Sequence, residues 1–190
     1  MISTLTPEEA QLFYELWIPF QEHMNFLSKV KFYSNQKVKL DFWDMDEEQT
    51  RKYILSRWPE LVDLYLQTTE LPPEHREIVE SWKRAVSGEF LLERHLKKGS
   101  SFVALNSKMV YIVKGIDLSW QEMFAELPVR IETTLLPFRD KIIYDGTIVS
   151  SKPVFDRWTK ASGESFYSVS KQLKLIVTSF FVNSIDFSPQ

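Results

Sequence analysis

Phe90-Leu91-Leu92-Glu93-Arg94-His95-Leu96, then Lys97-Lys98-Gly99-Ser100, then Ser101-Phe102-Val103-Ala104-Leu105 reads as strand, turn, strand, and this stretch decides the fold. Asn106-Ser107-Lys108 is a second turn, and Met109-Val110-Tyr111-Ile112-Val113 a third strand. Ser119-Trp120-Gln121-Glu122 has the pattern of a capping box, with Leu118 placed to staple onto Met123, so a short helix interrupts the strands. Val129 to Leu136 alternates and is rich in β-branched residues, which makes a fourth strand. Pro137-Phe138-Arg139-Asp140 then turns the chain into a fifth, Lys141 to Val149, in which Asp145-Gly146 marks a bulge or a corner. Pro153 opens a helical region, and Leu175-Ile176-Val177 reads as a last strand. Consecutive short strands with tight turns predict a curled antiparallel sheet, an SH3-like barrel of five to six strands.

Upstream the period is helical. Thr6-Pro7-Glu8-Glu9 has a cap, a proline at the first position and a glutamate able to return a bond. Leu12, Phe13, Leu16, Trp17 and Phe20 follow at helical spacing, and Pro19 predicts a kink or a division there. Three further helical segments are expected, the last from Glu74 to Val86 with Gly88 as its stop. The fold class is therefore α+β, with a helical region over 1–88 and a β-rich region with a short inserted helix and a C-terminal helix over 89–190. No flexible linker separates them, so the helical region is expected to pack on the sheet as one integrated unit. The six tryptophans are expected to fill the seam between the halves, or to line a groove there.

Composition excludes several functions. The 190 residues include no cysteine, which removes disulfides, thiolate metal sites and cysteine nucleophiles. The net charge of -3 is no polyanion-binding signature by itself, but it is unevenly spread. Residues 1–88 carry 10 basic and 15 acidic side chains, and residues 89–190 carry 13 and 11, so the β half is slightly basic. No apolar run approaches the ~20 residues that span a bilayer, and the N-terminus lacks the form of a secretory signal. A cytoplasmic protein with no membrane partner is expected.

Leu135-Leu136-Pro137-Phe138-Arg139-Asp140-Lys141-Ile142-Ile143-Tyr144-Asp145-Gly146 resembles a motif of a family of uncharacterised, mainly bacterial proteins. Leu16-Trp17-Ile18-Pro19 is similar to the start of those sequences. Tyr167 to Lys171 followed by Ile176-Val177-Thr178-Ser179 is similar to their end, with Lys174-Leu175 where they often carry a glycine pair. The resemblance implies an N-terminal helical region and a β-rich C-terminal half. It implies no activity.

Chemistry-bearing residues are few. Asp41, Asp44, Asp46, Glu47 and Glu48 lack the spacing and glycine of a calcium loop and read as a solvated lead into a capped helix. His75, at a helix start, has no second histidine at the spacing of a metalloprotease, and His23 reads as a partly buried helix residue. Glu93 and His95 share one face of an alternating strand, a geometry open to a general base. Asp145 and Glu132 on neighbouring strands form the weak candidate for a metal-assisted hydrolase, although no lysine follows Glu132 as in a restriction-type nuclease. As an ordinary corner residue, Asp145 bonds nearby amides instead. Lys97, Lys98, Lys108, Lys114, Arg139 and Lys141 gather at strand ends, and Phe138, Arg139, Lys141 and Tyr144 are the candidate binding residues. With five glycines and no phosphate-loop, zincin or nucleophile-elbow motif, neither a cofactor nor a metal is expected. The leading expectation is a non-catalytic interaction or adaptor protein with a protein partner. A nucleic-acid-binding module using the basic β half is the alternative, and the hydrolase on Glu132, Asp145 and His95 the third.

Overall fold

The computed structural model describes residues 3–30, 54, 56–151 and 176–178. The acidic run from Asp41, Trp43, Trp158 and the helix expected from Pro153 lie outside them. The chain divides into two compact units, Gln11–Lys83 and Met1–Ala10 with Arg84–Gln190.

The helical unit is built on α1 (Pro7–Val30), α2 (Trp58–Thr68) and α3 (Pro73–Ser81). Pro19 does not divide α1. It lies on the solvent side with Glu15, whose carbonyl loses its helical donor where water can replace it. The apolar stripe read from the sequence is the buried one, with Phe13 and Phe20 fully enclosed. Trp17 and Trp82 meet edge to face at 5.2 Å, and Phe20 meets Tyr65 at 5.3 Å. Trp58 packs on Phe20 and donates its indole N–H to the Trp82 carbonyl at 2.7 Å. Trp17 and Trp82 are thus core residues of this unit, with Trp58 half-buried beside them.

A 3-10 turn at Trp82–Arg84 ends the helices, and β1 starts at Val86. Gly88, read as a helix stop, lies inside β1 opposite Thr133. The strands are β1 (Val86–Leu96), β2 (Gly99–Ala104), β3 (Val110–Val113), β4 (Val129–Phe138), β5 (Lys141–Tyr144), β6 (Val149–Ser151) and β7 (Ile176–Val177), with the short helix α4 (Trp120–Met123) between β3 and β4. Neighbours run β1-β2-β3-β5-β4, and β4 pairs again with β1, so five strands form a closed ring.

The sheet is mixed, where the sequence predicted an antiparallel one. β1–β2, β2–β3, β1–β4 and β4–β5 are antiparallel, but β3–β5 and β3–β7 are parallel. Geometry requires a correction of this kind. Strand directions cannot alternate around a ring with an odd number of members, so at least one pairing must be parallel. It falls at the thinnest junction, where Val113 faces Ile142 and the Lys114 amide donates to the Ile142 carbonyl at 2.8 Å. The rest of β3's edge is taken by β7.

Phe90, Leu92, Phe102, Tyr111, Val113, Ile131, Leu135 and Ile142 form one buried cluster with Trp120. The Ser119–Glu122 capping box is present, so the single turn of α4 is fixed at its start. Its tryptophan lies 4.7 Å from both Phe102 and Tyr144, ring centre to ring centre. Leu136, Phe138 and Ile143, which alternation places on the opposite face, are buried too. Among the described residues no helix is long and apolar enough to cross a membrane.

Candidate functional site

Three lysines far apart in sequence meet at one mouth of the ring. Lys98 ends the two-residue turn between β1 and β2. Gly99 follows it at φ +152°, where a Cβ would stand 2.6 Å from the Val113 carbonyl oxygen. A side chain there would hold β2 away from β3, so this glycine lets the Lys98 turn approach the end of β3. Lys114 is the residue after β3, and Lys141 opens β5 directly beyond the tight turn at Arg139-Asp140, in which Arg139 takes φ +52°. The β3–β5 pairing at Val113 and Ile142 sets the last two lysines on adjacent strand ends. Together with Ile112, Asp140, Ile142 and Thr178 they line a pocket of about 290 Å³.

The carboxylates around these ammonium groups are unevenly placed. Lys141 Nζ donates to Glu9 Oε1 at 2.6 Å and to Asp140 Oδ1 at 3.0 Å. Burial works against its charge, but the bonds to those two carboxylates outweigh it and raise the Lys141 pKa. Lys114 donates to the Thr4 carbonyl at 3.4 Å. Burial first, and then the charges of Lys141 and Lys98, hold its pKa below the usual lysine value, with Glu9 and Asp140 opposing. Burial also raises the carboxyl of Glu9, yet the bond from Lys141, the Thr6 amide and the charges of Lys141 and Arg139 lower it overall. A concave site on which three ammonium groups converge is suited to a bound anion.

The other sequence candidates are placed elsewhere. Phe138 is fully buried, and Tyr144 turns toward Trp120 and Met123, so neither ring is presented to a ligand. Arg139 lies over Phe138 at 6.0 Å. His95 does not pair with Glu93. β1 carries a bulge between Leu92 and Arg94, so Glu93 is the extra residue and the alternation that put 93 and 95 on one face is broken. The imidazole instead bonds Ser100 Oγ and the Phe124 carbonyl, each at 2.9 Å. A carbonyl only accepts, so Nε2 donates to it, and in the neutral ring Nδ1 accepts from the Ser100 hydroxyl. A serine on such a histidine has the form of an activated nucleophile, but Ser100 is 3% exposed, so its hydroxyl is not presented at the surface. His95 pins the β1–β2 end to the segment after α4.

Glu132 stands opposite Glu89 on β1 and Val149 on β6, beside the Arg130–Glu89 ion pair. Asp145 follows β5, donates its amide to the Thr134 carbonyl and accepts the Thr147 amide at 2.8 Å. With Gly146 at φ +88° this turns the chain off β5 and onto another stretch of β4. Among the described residues, no three His, Asp or Glu side chains group as a metal ion would need. Sequence reasoning missed Asp140, which lines the pocket, and Glu9, which bonds the pocket residue Lys141 and whose sequence signal was its role in a helix cap.

No family model matches the chain, and neither a curated protein nor a solved structure matches it.

Proposed function

We propose that the β unit is a small barrel of the oligonucleotide-binding type, which takes single-stranded nucleic acid by its phosphate backbone at the pocket of Lys98, Lys114 and Lys141. The convergence of these three lysines, from the β1–β2 turn, the end of β3 and the start of β5, carries the proposal. Two features support the barrel type. The ring has five strands, and a short helix lies between its third and fourth. Such barrels bind oligomers on the face of their second and third strands, between the β1–β2 and β4–β5 loops. Here those loops hold Lys97-Lys98 and Arg139-Asp140. This places the strand topology ahead of the SH3-like form expected from a simple meander. It also moves the nucleic-acid alternative ahead of the adaptor.

Because Phe138 and Tyr144 are turned inward, phosphate contacts rather than base stacking supply the binding, and little sequence preference follows. The test is fluorescence anisotropy with a labelled single-stranded oligonucleotide at low salt. Lys98→Ala with Lys141→Ala should weaken binding by at least tenfold, and Lys97→Ala, outside the pocket lining, by less than threefold. Equal losses from the two sites would reject this pocket as the binding site.

A further inference from the structure

One of the groups lining the lysine pocket is an acid. Asp140 occupies the two-residue turn between β4 and β5, where Phe138 and Lys141 pair across it and Arg139 takes φ +52°. Its side chain is 82% exposed, so a ligand can reach it, and its Oδ1 accepts from Lys141 Nζ at 3.0 Å. That bond, with the charges of Lys141 and Lys114 behind it, outweighs partial burial and holds the Asp140 pKa below the usual carboxylate value. The group is therefore ionised at neutral pH and only accepts. An ionised carboxylate has about four acceptor positions, and Lys141 and the residue's own amide use two of them. Lys141 has a donor left as well. Its ammonium carries three N–H groups, and among the described residues Glu9 at 2.6 Å and Asp140 take two.

A phosphate site has a use for such a pair. In a ribonucleotide the 2′-hydroxyl is a hydrogen-bond donor on the carbon next to the one whose oxygen carries the 3′-phosphate. An ammonium for the phosphate and a carboxylate for the hydroxyl, held side by side by a 3.0 Å bond, match that arrangement. A deoxyribonucleotide brings the same phosphate and no hydroxyl, so only the repulsion between carboxylate and phosphate is left. On the reading of the pocket as a backbone-binding site, on which this rests, we infer that Asp140 tells ribose from deoxyribose: it accepts the 2′-hydroxyl while Lys141 binds the neighbouring phosphate, and the strand taken is RNA. Arg139 and the other charges around the pocket act on both strands alike and leave the ratio of their affinities unchanged. One hydrogen bond of ordinary net strength corresponds to about threefold to tenfold in that ratio.

The experiment measures fluorescence anisotropy at low salt with three single-stranded uracil octanucleotides, labelled at the 3′ end and alike except at the 2′ position, which carries hydroxyl, hydrogen or fluorine. Fluorine keeps a ribose-like sugar pucker but cannot donate a hydrogen bond. The wild type should bind the 2′-hydroxyl strand about threefold to tenfold more tightly than either of the others, and Asp140→Ala should bind all three within about twofold of one another. Asp140 is exposed in its turn, so the variant removes little packing. A wild-type preference under threefold, a preference that Asp140→Ala retains, or a fluorinated strand bound as tightly as the hydroxylated one overturns the inference and leaves the backbone reading standing. If the wild type binds none of the three, the backbone reading falls and this inference with it.

Discussion

Replacing Trp120 by alanine should unlock the ring from inside. Trp120 is 1% exposed and belongs to the same buried cluster as Phe90, Phe102, Leu135 and Ile142. It is presented by a single helical turn whose start is fixed by the Ser119–Glu122 box. An indole buries ~150–250 Å² and each Å² is worth ~25 cal/mol, so its removal from water contributes about 4–6 kcal/mol. Trp→Ala costs in cores of about 3–5 kcal/mol overlap that range. At about 1.4 kcal/mol per factor of ten, this is roughly two to four powers of ten in local stability. The assay is amide hydrogen exchange read peptide by peptide, because a chain of two compact units need not unfold in one step. Peptides of β2 and β3 should lose at least a hundredfold in protection. Less than tenfold would show that α4 does not plug the ring and would refute the packing account.

Two further outcomes follow from the same structure. His95→Phe leaves the buried Ser100 hydroxyl and the Phe124 carbonyl without the imidazole, at about 1–3 kcal/mol for each orphaned group, so urea unfolding should show a loss of about 2–6 kcal/mol, and a loss under 0.5 would contradict the pinning role. Lys114, whose pKa burial and neighbouring lysines hold low, is re-stabilised in its charged form by a bound phosphate. Affinity is therefore complete where Lys114 is protonated in the free protein and declines as pH rises through its lowered pKa, below the ordinary lysine value of about 10.4. Anisotropy titrations across that range should show the decline moved to higher pH in Lys114→Arg, and superimposable profiles would refute it.

Much of the architecture could be read from local patterns, because each depended on neighbours in sequence. The Thr6–Glu9 and Ser119–Glu122 boxes, the β1–β2 turn at Lys97-Lys98 and the helical stripe of Phe13, Trp17 and Phe20 are set within a few residues. What escaped was set by distant partners. The parallel β3–β5 pairing comes from closing an odd ring, and no local alternation encodes closure. The bulge at Glu93 is one extra residue, enough to reverse which face every later side chain takes and to redirect His95 from Glu93 to Ser100. Phe138 looked available beside Arg139 in the sequence, yet Leu136 and Phe138 on the outer face of β4 are buried. The lysines of the pocket were visible as strand-end cations, but their meeting required the ring. Glu9, 132 positions from Lys141, looked like a cap and nothing more.

The central claim, a phosphate-backbone site built from Lys98, Lys114 and Lys141, is tested most directly by the salt dependence of oligonucleotide binding. For single strands the slope of log affinity against log salt is about -0.7 per phosphate neutralised, so three lysines give about -2. The Lys98→Ala, Lys141→Ala double variant should fall to about -0.7, the value for one remaining contact. A slope of about -2 that the double variant leaves unchanged, or no binding at low salt, would contradict the claim.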